Sequence, residues 1–297
     1  MAAVEATKIA EKGDRVGGTP GYTDLREWLE IVDGFGQLKK VDGVDWNLEM
    51  GTLSELIAQG SSGPVPAVLY DNIKDYPEGY RVLFAQNASF KRMALALGLP
   101  IDLTDLDLVR ATREKISQHN PIQHRVVETG PVMENVLTGD DIDLLKFPVP
   151  FIHELDGGRY IGTGCLVVTK DPDEGWVNCG TYRGMVQDDK SMNVYISPGK
   201  HGRIQRDKWF DRGEKCPVIV CVGQDPVLFL ASGNEVDYGV SEYDYAGGLK
   251  GAPIDVIQGQ VTGLPFPAHA EIVIEGFMDP EERKTEGPFG EWTGYYA

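Results

Sequence analysis

The chain is short of cysteine, short of cations and without a long apolar run. Four cysteines, Cys165, Cys179, Cys216 and Cys221, stand in 297 residues with no C-x-x-C spacing. That excludes a disulfide framework and a thiolate zinc site as first readings, and it suits a reducing, cytoplasmic setting. No apolar stretch approaches the roughly 20 residues that a membrane helix requires, and 41% hydrophobic with 25% charged residues is the balance of an ordinary soluble globular protein. The opening MAAVEATKIAEKGDRVGGTPG mixes charges into every few positions and lacks the apolar segment of a secretory signal. Residues 1–20 are expected to form a flexible arm. Lys and Arg total 28 against 46 Asp and Glu, a net charge of −18, which opposes nucleic acid and anionic lipid as partners. The same field means that a phosphate-bearing cofactor needs a local island of Arg, Lys or bound metal.

What is present divides into two textures. Asp24 with Glu27 has the form of a capping box, and Leu25, Trp28, Leu29 and Val32 recur at helical spacing before Gly34 and Gly36. PAVLYDNI and YRVLFAQN read as strands; Ser89 caps FKRMALALG, and Thr104 with Asp107 opens a helix through Ser117. Residues 21–120 therefore read as a small α/β domain. Beyond residue 120 the sequence turns β-branched, aromatic and rich in Gly and Pro, so residues 121–297 are expected to be β-rich. RYIGTGCLVVTK and GWVNCGTYRGMVQD are joined by DPDEG, a hairpin signal. MNVYIS, CPVIVCVG, PVLFLAS and AEIVIEG continue as strands, and SEYDYAGGLKG is the one helix expected among them.

Three stretches could carry chemistry. In TEGPFGEWTGYYA, Glu286 and Glu291 would face opposite sides of a strand, but Gly287, Pro288 and Gly290 permit a bend that brings both carboxyls to one pocket. Close carboxyls cannot both ionise cheaply, so one becomes a proton donor near neutral pH while an arginine holds the other as an anion. Taken alone, a surface turn with solvated glutamates explains the same letters better. In NCGTYRG, Asn178 and Arg183 fall on opposite faces of a strand unless it is bulged; alone, an exposed strand arginine is again the simpler reading. In SPGKH, Lys200 and His201 follow a turn, and His201 with Asn178 and Glu242 would make a mixed N/O set suited to Mn²⁺ or Mg²⁺. No spacing rule predicts that grouping.

It comes instead from a resemblance. DLLKFPVPFIHELDGGRYIGTGCLVVTKDPDEGWVNCGTYR, SPGKH, SEYDYAGGLKG, AEIVIEG and EGPFGEWTGYY occur in the order and with the gaps of the UbiD-like decarboxylases. DLREWLEIVDGFGQLKKVD and RMALALGLP resemble the same family's amino-terminal domain. The resemblance implies an α+β protein: an amino-terminal α/β domain followed by a flavin-binding split β-barrel. It implies prenylated FMN as cofactor and reversible, non-oxidative decarboxylation of an aromatic, heteroaromatic or α,β-unsaturated carboxylic acid. Matched position by position, Asn178, His201 and Glu242 would ligate Mn²⁺ (or Mg²⁺) at the cofactor phosphate, and the region of Ala231 and Ser232 would lie near a K⁺ ion. Tyr182, Arg183 and Lys200 would border the cofactor, although family members vary at Lys200. Arg183, Glu286 and Glu291 match the catalytic Arg-Glu-Glu network, with Arg183 on the substrate carboxylate and Glu291 as the acid. A flavin prenyltransferase would supply the cofactor, and full-length relatives are expected to be homo-oligomers. Family members continue past GYY into a carboxy-terminal domain, so the resemblance also implies that this chain comprises the first two domains only. A module that binds cofactor without turnover is the alternative.

Overall fold

The computed structural model describes residues 20–297. The arm expected over residues 1–20 lies outside the described residues except for Pro20. The first helix, α1 (Leu25–Gly34), starts where Asp24 accepts a hydrogen bond from the Glu27 amide, and it buries Leu25, Trp28, Leu29 and Val32, the stripe that its spacing predicts. Strand β1 (Leu38–Asp42) pairs in parallel with β2 (Ala67–Asp71), and β2 pairs antiparallel with β3 (Val82–Phe84). Helix α2 (Glu49–Gly60) makes the crossover from β1 to β2. Neither β1 nor α2 was foreseen from the sequence. Ser89 caps α3 (Phe90–Ala96), and Thr104 caps α4 (Asp105–Ser117), both as expected. Arg92 is wholly buried beneath this unit, where its guanidinium donates to the carbonyls of Val65, Ala85 and Gln86 and to Gln37.

The second half is built on a four-stranded antiparallel sheet ordered β13 (Ile272–Met278), β10 (Cys216–Val222), β6 (Leu166–Lys170) and β7 (Val177–Gly180). Its two faces read directly from the sequence alternation. Leu166, Val168, Ile219 and Cys221 point into the largest apolar cluster, which also takes in Ala94, Leu97 and Leu108 from α3, α4 and the loop between them. Val167, Val218 and Val220 point the other way, towards Tyr182, Met192 and Val194. Those last residues belong to or adjoin a second sheet, ordered β5 (Arg159–Gly162), β8 (Arg183–Val186), β9 (Met192–Tyr195). A third sheet joins β12 (Pro265–Pro267), β11 (Asp255–Gln258) and β4 (Arg125–Val126). The DPDEG turn does close a hairpin, pairing β6 with β7.

Two expectations for this half are corrected. PVLFLAS is not a strand but helix α6 (Pro226–Ser232), capped by Asp225 with Pro226 in its first turn. Six apolar residues in a row before Ser232 leave no periodicity to separate the two states, and the Asp-Pro start decides it. SEYDYAGGLKG is helical, as α7 (Glu242–Lys250), but it is not alone: HGRIQRDKWFD forms α5 (His201–Asp211). Only Gly202 and Gln205 of α5 are buried, so it lacks the apolar stripe that would have announced it. The four cysteines are buried and unpaired. No described helix is long and apolar enough to cross a membrane.

Candidate active site

The question of whether Asn178 and Arg183 share a strand is settled by a break. β7 ends at Gly180 and β8 starts at Arg183 in a different sheet. Between them the Thr181 amide donates to the Ser232 carbonyl at 3.1 Å, and the two hydroxyls meet at 2.9 Å. The Tyr182 ring is wedged between Gly180 and Gly202. A Cβ on Gly180 would stand 2.3 Å from that ring and one on Gly202 2.8 Å, so both positions require glycine. One short segment thereby sends Asn178 and Arg183 to two separate corners.

At the first corner Arg183 grips Glu286 with both arms: Nε donates to Oε1 at 2.8 Å and Nη2 to Oε2 at 2.9 Å. The third nitrogen, Nη1, lies 3.9 Å from Glu291 Oε1. The chain reaches this arrangement because Gly287 sits at φ +85°, a left-handed conformation that glycine adopts without penalty. The bend thus brings both carboxyls to one guanidinium, as the sequence suggests. Arg183 and Glu286 are nearly sealed, with side chains 13% and 9% exposed, whereas Glu291 is 46% exposed. The Arg183 guanidinium also stacks on Tyr195 and Phe289, 4.6 and 5.4 Å from the ring centroids. Burial works against its charge, but Glu286 more than compensates and holds it protonated. A neighbour that sequence reasoning missed is Tyr160, which donates to Glu286 Oε1 at 3.0 Å from a fully buried position. The two residues are 126 positions apart, and no local pattern signals the contact.

The second corner holds Asn178, Glu242 and His201. Glu242, the first residue of α7, is 3% exposed and accepts the Cys179 amide at 2.6 Å. Burial pushes its carboxyl up to about 7, with that amide pulling in the opposite direction. Asn178, beside Cys179, is 1% exposed and reaches Thr169 at 3.4 Å; Thr169 in turn donates to Gln205 of α5 at 2.6 Å. The His201 ring opens α5 and packs edgewise against Trp176 and Tyr238, with centroids 5.4 and 5.5 Å away. Among the described residues no hydrogen bond ties His201 to Asn178 or Glu242, and no group of three His, Cys, Asp or Glu side chains stands ready for a metal. On the His201 side, the Tyr182 hydroxyl accepts the amide of Gly202, next to His201, at 3.3 Å. Ala231 and Ser232 close α6 and present main-chain carbonyls. Lys200 points outward, in an exposed pair with Glu235 at 3.2 Å.

Residues 124–297 match the family model described as the 3-octaprenyl-4-hydroxybenzoate carboxy-lyase Rift-related domain, and residues 29–112 match the amino-terminal domain of the same carboxy-lyase. The chain belongs to the UbiD family. The pyrrole-2-carboxylic acid decarboxylase of Pseudomonas aeruginosa is 37% identical over 280 residues, covering 92% of this chain and 56% of that protein. Ferulic acid decarboxylase 1 of Candida dubliniensis is 30% identical, covering 91% and 56%. Among solved structures, vanillic acid decarboxylase of Sedimentibacter hydroxybenzoicus in its closed form superposes with a TM-score of 0.86 at 31% identity, over 93% of this chain and 59% of that one. The UbiD-class enzyme HmfF of Pelotomaculum thermopropionicum, in an evolved dimeric form in complex with prenylated FMN, gives 0.82 at 30%, over 93% and 62%. The chain thus spans little more than half the length of these curated relatives. Its mixed α+β architecture is that of the UbiD class.

Proposed function

We propose that this chain is the cofactor-holding and proton-handling part of a prenylated-FMN-dependent carboxy-lyase. Its substrate would be an aromatic, heteroaromatic or α,β-unsaturated carboxylic acid, and its reaction reversible loss of CO₂ with a proton taken in its place. The observation that carries this reading is the fork of Arg183 on Glu286 with Nη1 left facing Glu291. Two guanidinium nitrogens are spent on holding Glu286 and the third is free to address a substrate carboxylate, a bidentate and directional use for which arginine is suited. Glu291, less buried and not forked, is the group able to meet solvent between turnovers and to deliver a proton to the carbon that CO₂ leaves. Prenylated FMN, when bound, would supply the electron sink for the broken C–C bond. We read the two sheets around Tyr182 as the split β-barrel that would receive it.

The second corner fits a divalent cation. A carboxyl buried with only an amide for company, beside a buried carboxamide, is an O-donor set that lacks positive charge, and Mn²⁺ or Mg²⁺ accepts such donors. Asn178, Glu242 and, after rotation of its ring, His201 would hold the ion against the cofactor phosphate. This would also meet the need for positive charge in a chain of net charge −18. The carbonyls of Ala231 and Ser232 each retain acceptor capacity suited to K⁺, and Tyr182 would lie along the flavin. A flavin prenyltransferase would be the supplier, and a homo-oligomer the assembly of a full-length relative.

One observation favours a second reading, a module that binds cofactor without turnover. Glu291 is 46% exposed, and its neighbours Trp292 and Tyr295 are 54% and 77% exposed, so water enters the corner that decarboxylation needs dry. Coexpression with a flavin prenyltransferase, followed by assay of CO₂ release from aromatic and heteroaromatic acids, separates the two. Release is expected. Bound prenylated FMN with no release establishes the module, and a colourless preparation without flavin overturns both.

A further inference from the structure

The turn that carries Glu286 and Glu291 has little regular structure of its own; Gly290 and Tyr296 make its one bridge. What fixes it is the segment HELDGGRY, residues 153–160. Asp156 has a side chain with 0% exposure, and among the described residues no Lys or Arg pairs with it; the ring nitrogen Nδ1 of His153 lies 3.6 Å away. Its two oxygens are taken by main-chain amides instead: Oδ1 accepts the Gly290 N–H at 2.7 Å and Oδ2 the His153 N–H at 2.9 Å. One residue on, the Gly157 amide donates to the Pro288 carbonyl at 2.7 Å. Three residues further, Tyr160 donates to Glu286 itself. Burial, reinforced by Glu286, pushes the Tyr160 hydroxyl well above its usual range, so it remains a donor.

The two segments touch so closely that side chains are excluded. A Cβ on Gly157 would stand 2.1 Å from the Gly287 carbonyl oxygen, and one on Gly290 2.5 Å from His153 Nδ1. The Phe289 ring fills the space between, 4.5 Å from Tyr160 and 6.1 Å from His153. The clamp is in turn fastened to the amino-terminal unit. Phe151 donates to the Trp46 carbonyl at 3.1 Å and accepts the Leu48 amide at 2.8 Å, and the Ile152 carbonyl rests where a side chain on Gly51 would be.

We propose that Asp156 and Tyr160 are positioning residues for the Glu286–Glu291 turn, Asp156 by anchoring the Gly290 amide between the two glutamates and Tyr160 by orienting the Glu286 carboxyl towards Arg183. This rests on the reading of Arg183, Glu286 and Glu291 as the reacting corner. It assigns the amino-terminal unit a task as well: it holds the clamp that holds the turn. A buried carboxylate on two amides is an expensive way to pin a loop. It is also a rigid one, which is what a group that must meet a substrate within a few tenths of an ångström requires.

Hydrogen exchange read residue by residue by NMR on the intact chain tests this without turnover. In Asp156→Ala, which leaves the Gly290 N–H without its acceptor, the Gly290 amide is expected to exchange about tenfold faster or more, the value of one charge-assisted hydrogen bond, while amides of β6 and β10 keep their wild-type rates. Unchanged exchange at Gly290 overturns the role of Asp156. Tyr160→Phe removes one oxygen and no volume, so it guards against a variant that fails to fold. In the prenylated-FMN-loaded protein it is expected to lower kcat about tenfold with KM and flavin content unchanged. Wild-type kcat, or a rise in KM alone, overturns the role of Tyr160. Faster Gly290 exchange in a chain whose wild type releases no CO₂ upholds the clamp and sinks the proposed activity, so the two failures are distinct.

Discussion

The Arg183 corner and the Glu242 corner lie at opposite ends of the short segment from Asn178 to Arg183, yet they are finished to different degrees. At the first, every buried charge has met its partner within the chain: Glu286 has Arg183 and Tyr160, at 2.8 to 3.0 Å. At the second, a carboxyl with 3% exposure faces one amide, and the candidate partner His201 is turned towards two aromatic rings. A corner built to move protons needs its geometry set before substrate arrives, because charge that must reorganise during the reaction costs rate. A corner built to take up an ion benefits from the reverse, since a carboxyl denied other cations gains most from the one that comes. The difference teaches which of the two should fail when a protein partner is removed and which should fail when a ligand is withheld.

The largest effect is expected where the corner is self-sufficient. Arg183→Met strands Glu286 with Tyr160 as its remaining polar contact. Turnover should fall by about 10³, and thermal unfolding should report a loss of about 2–3 kcal/mol. A variant with wild-type stability would mean that the fork is not what holds Glu286. Next, Glu291→Gln should lower turnover by about 10²-fold or more with flavin content unchanged. Its stability should stay within about 0.5 kcal/mol of wild type, since the side chain is half exposed and 3.9 Å from its nearest cation. Full activity would remove Glu291 from the role of acid.

Glu242→Gln should act in opposite directions on the empty and the loaded protein. Replacing a buried carboxyl by an amide relieves the desolvation that pushes Glu242 up, so the chain prepared without metal or flavin should gain about 1–2 kcal/mol in urea unfolding. The same variant, and His201→Ala with it, should retain neither manganese nor flavin after coexpression. Flavin retained at wild-type level in both would detach this corner from the cofactor.

How much of this was legible in the sequence follows the same divide. Helix α1 was readable because its cap and stripe, Asp24 through Val32, are local; so was the β6–β7 hairpin, whose turn chemistry lies in DPDEG. The convergence of Glu286 and Glu291 could be suspected because Gly287 and Gly290 announce a bend. The partner at hydrogen-bond distance, Arg183, is 103 residues away and came from family resemblance, which also supplied the expectation that Asn178, His201 and Glu242 act together. Helix α5 escaped notice because HGRIQRDKWFD is polar on nearly every side and buries only Gly202 and Gln205. Helix α6 escaped for the contrary reason, being apolar from Pro226 to Ala231. Asp156 and Tyr160 were in plain view within HELDGGRYIG, but contacts spanning more than a hundred residues leave no local trace.

The smallest effect concerns what keeps His201 in its present pose. Its neighbour Tyr238 shares Asp171 and Lys208: Lys208 donates to Asp171 at 2.6 Å and to the Tyr238 hydroxyl at 3.3 Å. Burial pushes Asp171 up, but Lys208 and the amides of Asp173 and Glu174 outweigh it, and the carboxyl titrates below its usual range. A depressed acid stabilises the folded state above its unfolded pKa, and that contribution disappears as the pH falls through the folded value. Lys208→Met should therefore lower the urea midpoint slightly at about pH 6, and the gap should close as the pH falls through the depressed range in which folded Asp171 takes up its proton. Because the Lys208 ammonium is open to solvent, added salt should shrink the gap further. A gap that persists unchanged into acid would mean that the lysine acts through its hydrocarbon stem and not its charge, and that the Trp176 and Tyr238 rings alone set the orientation of His201.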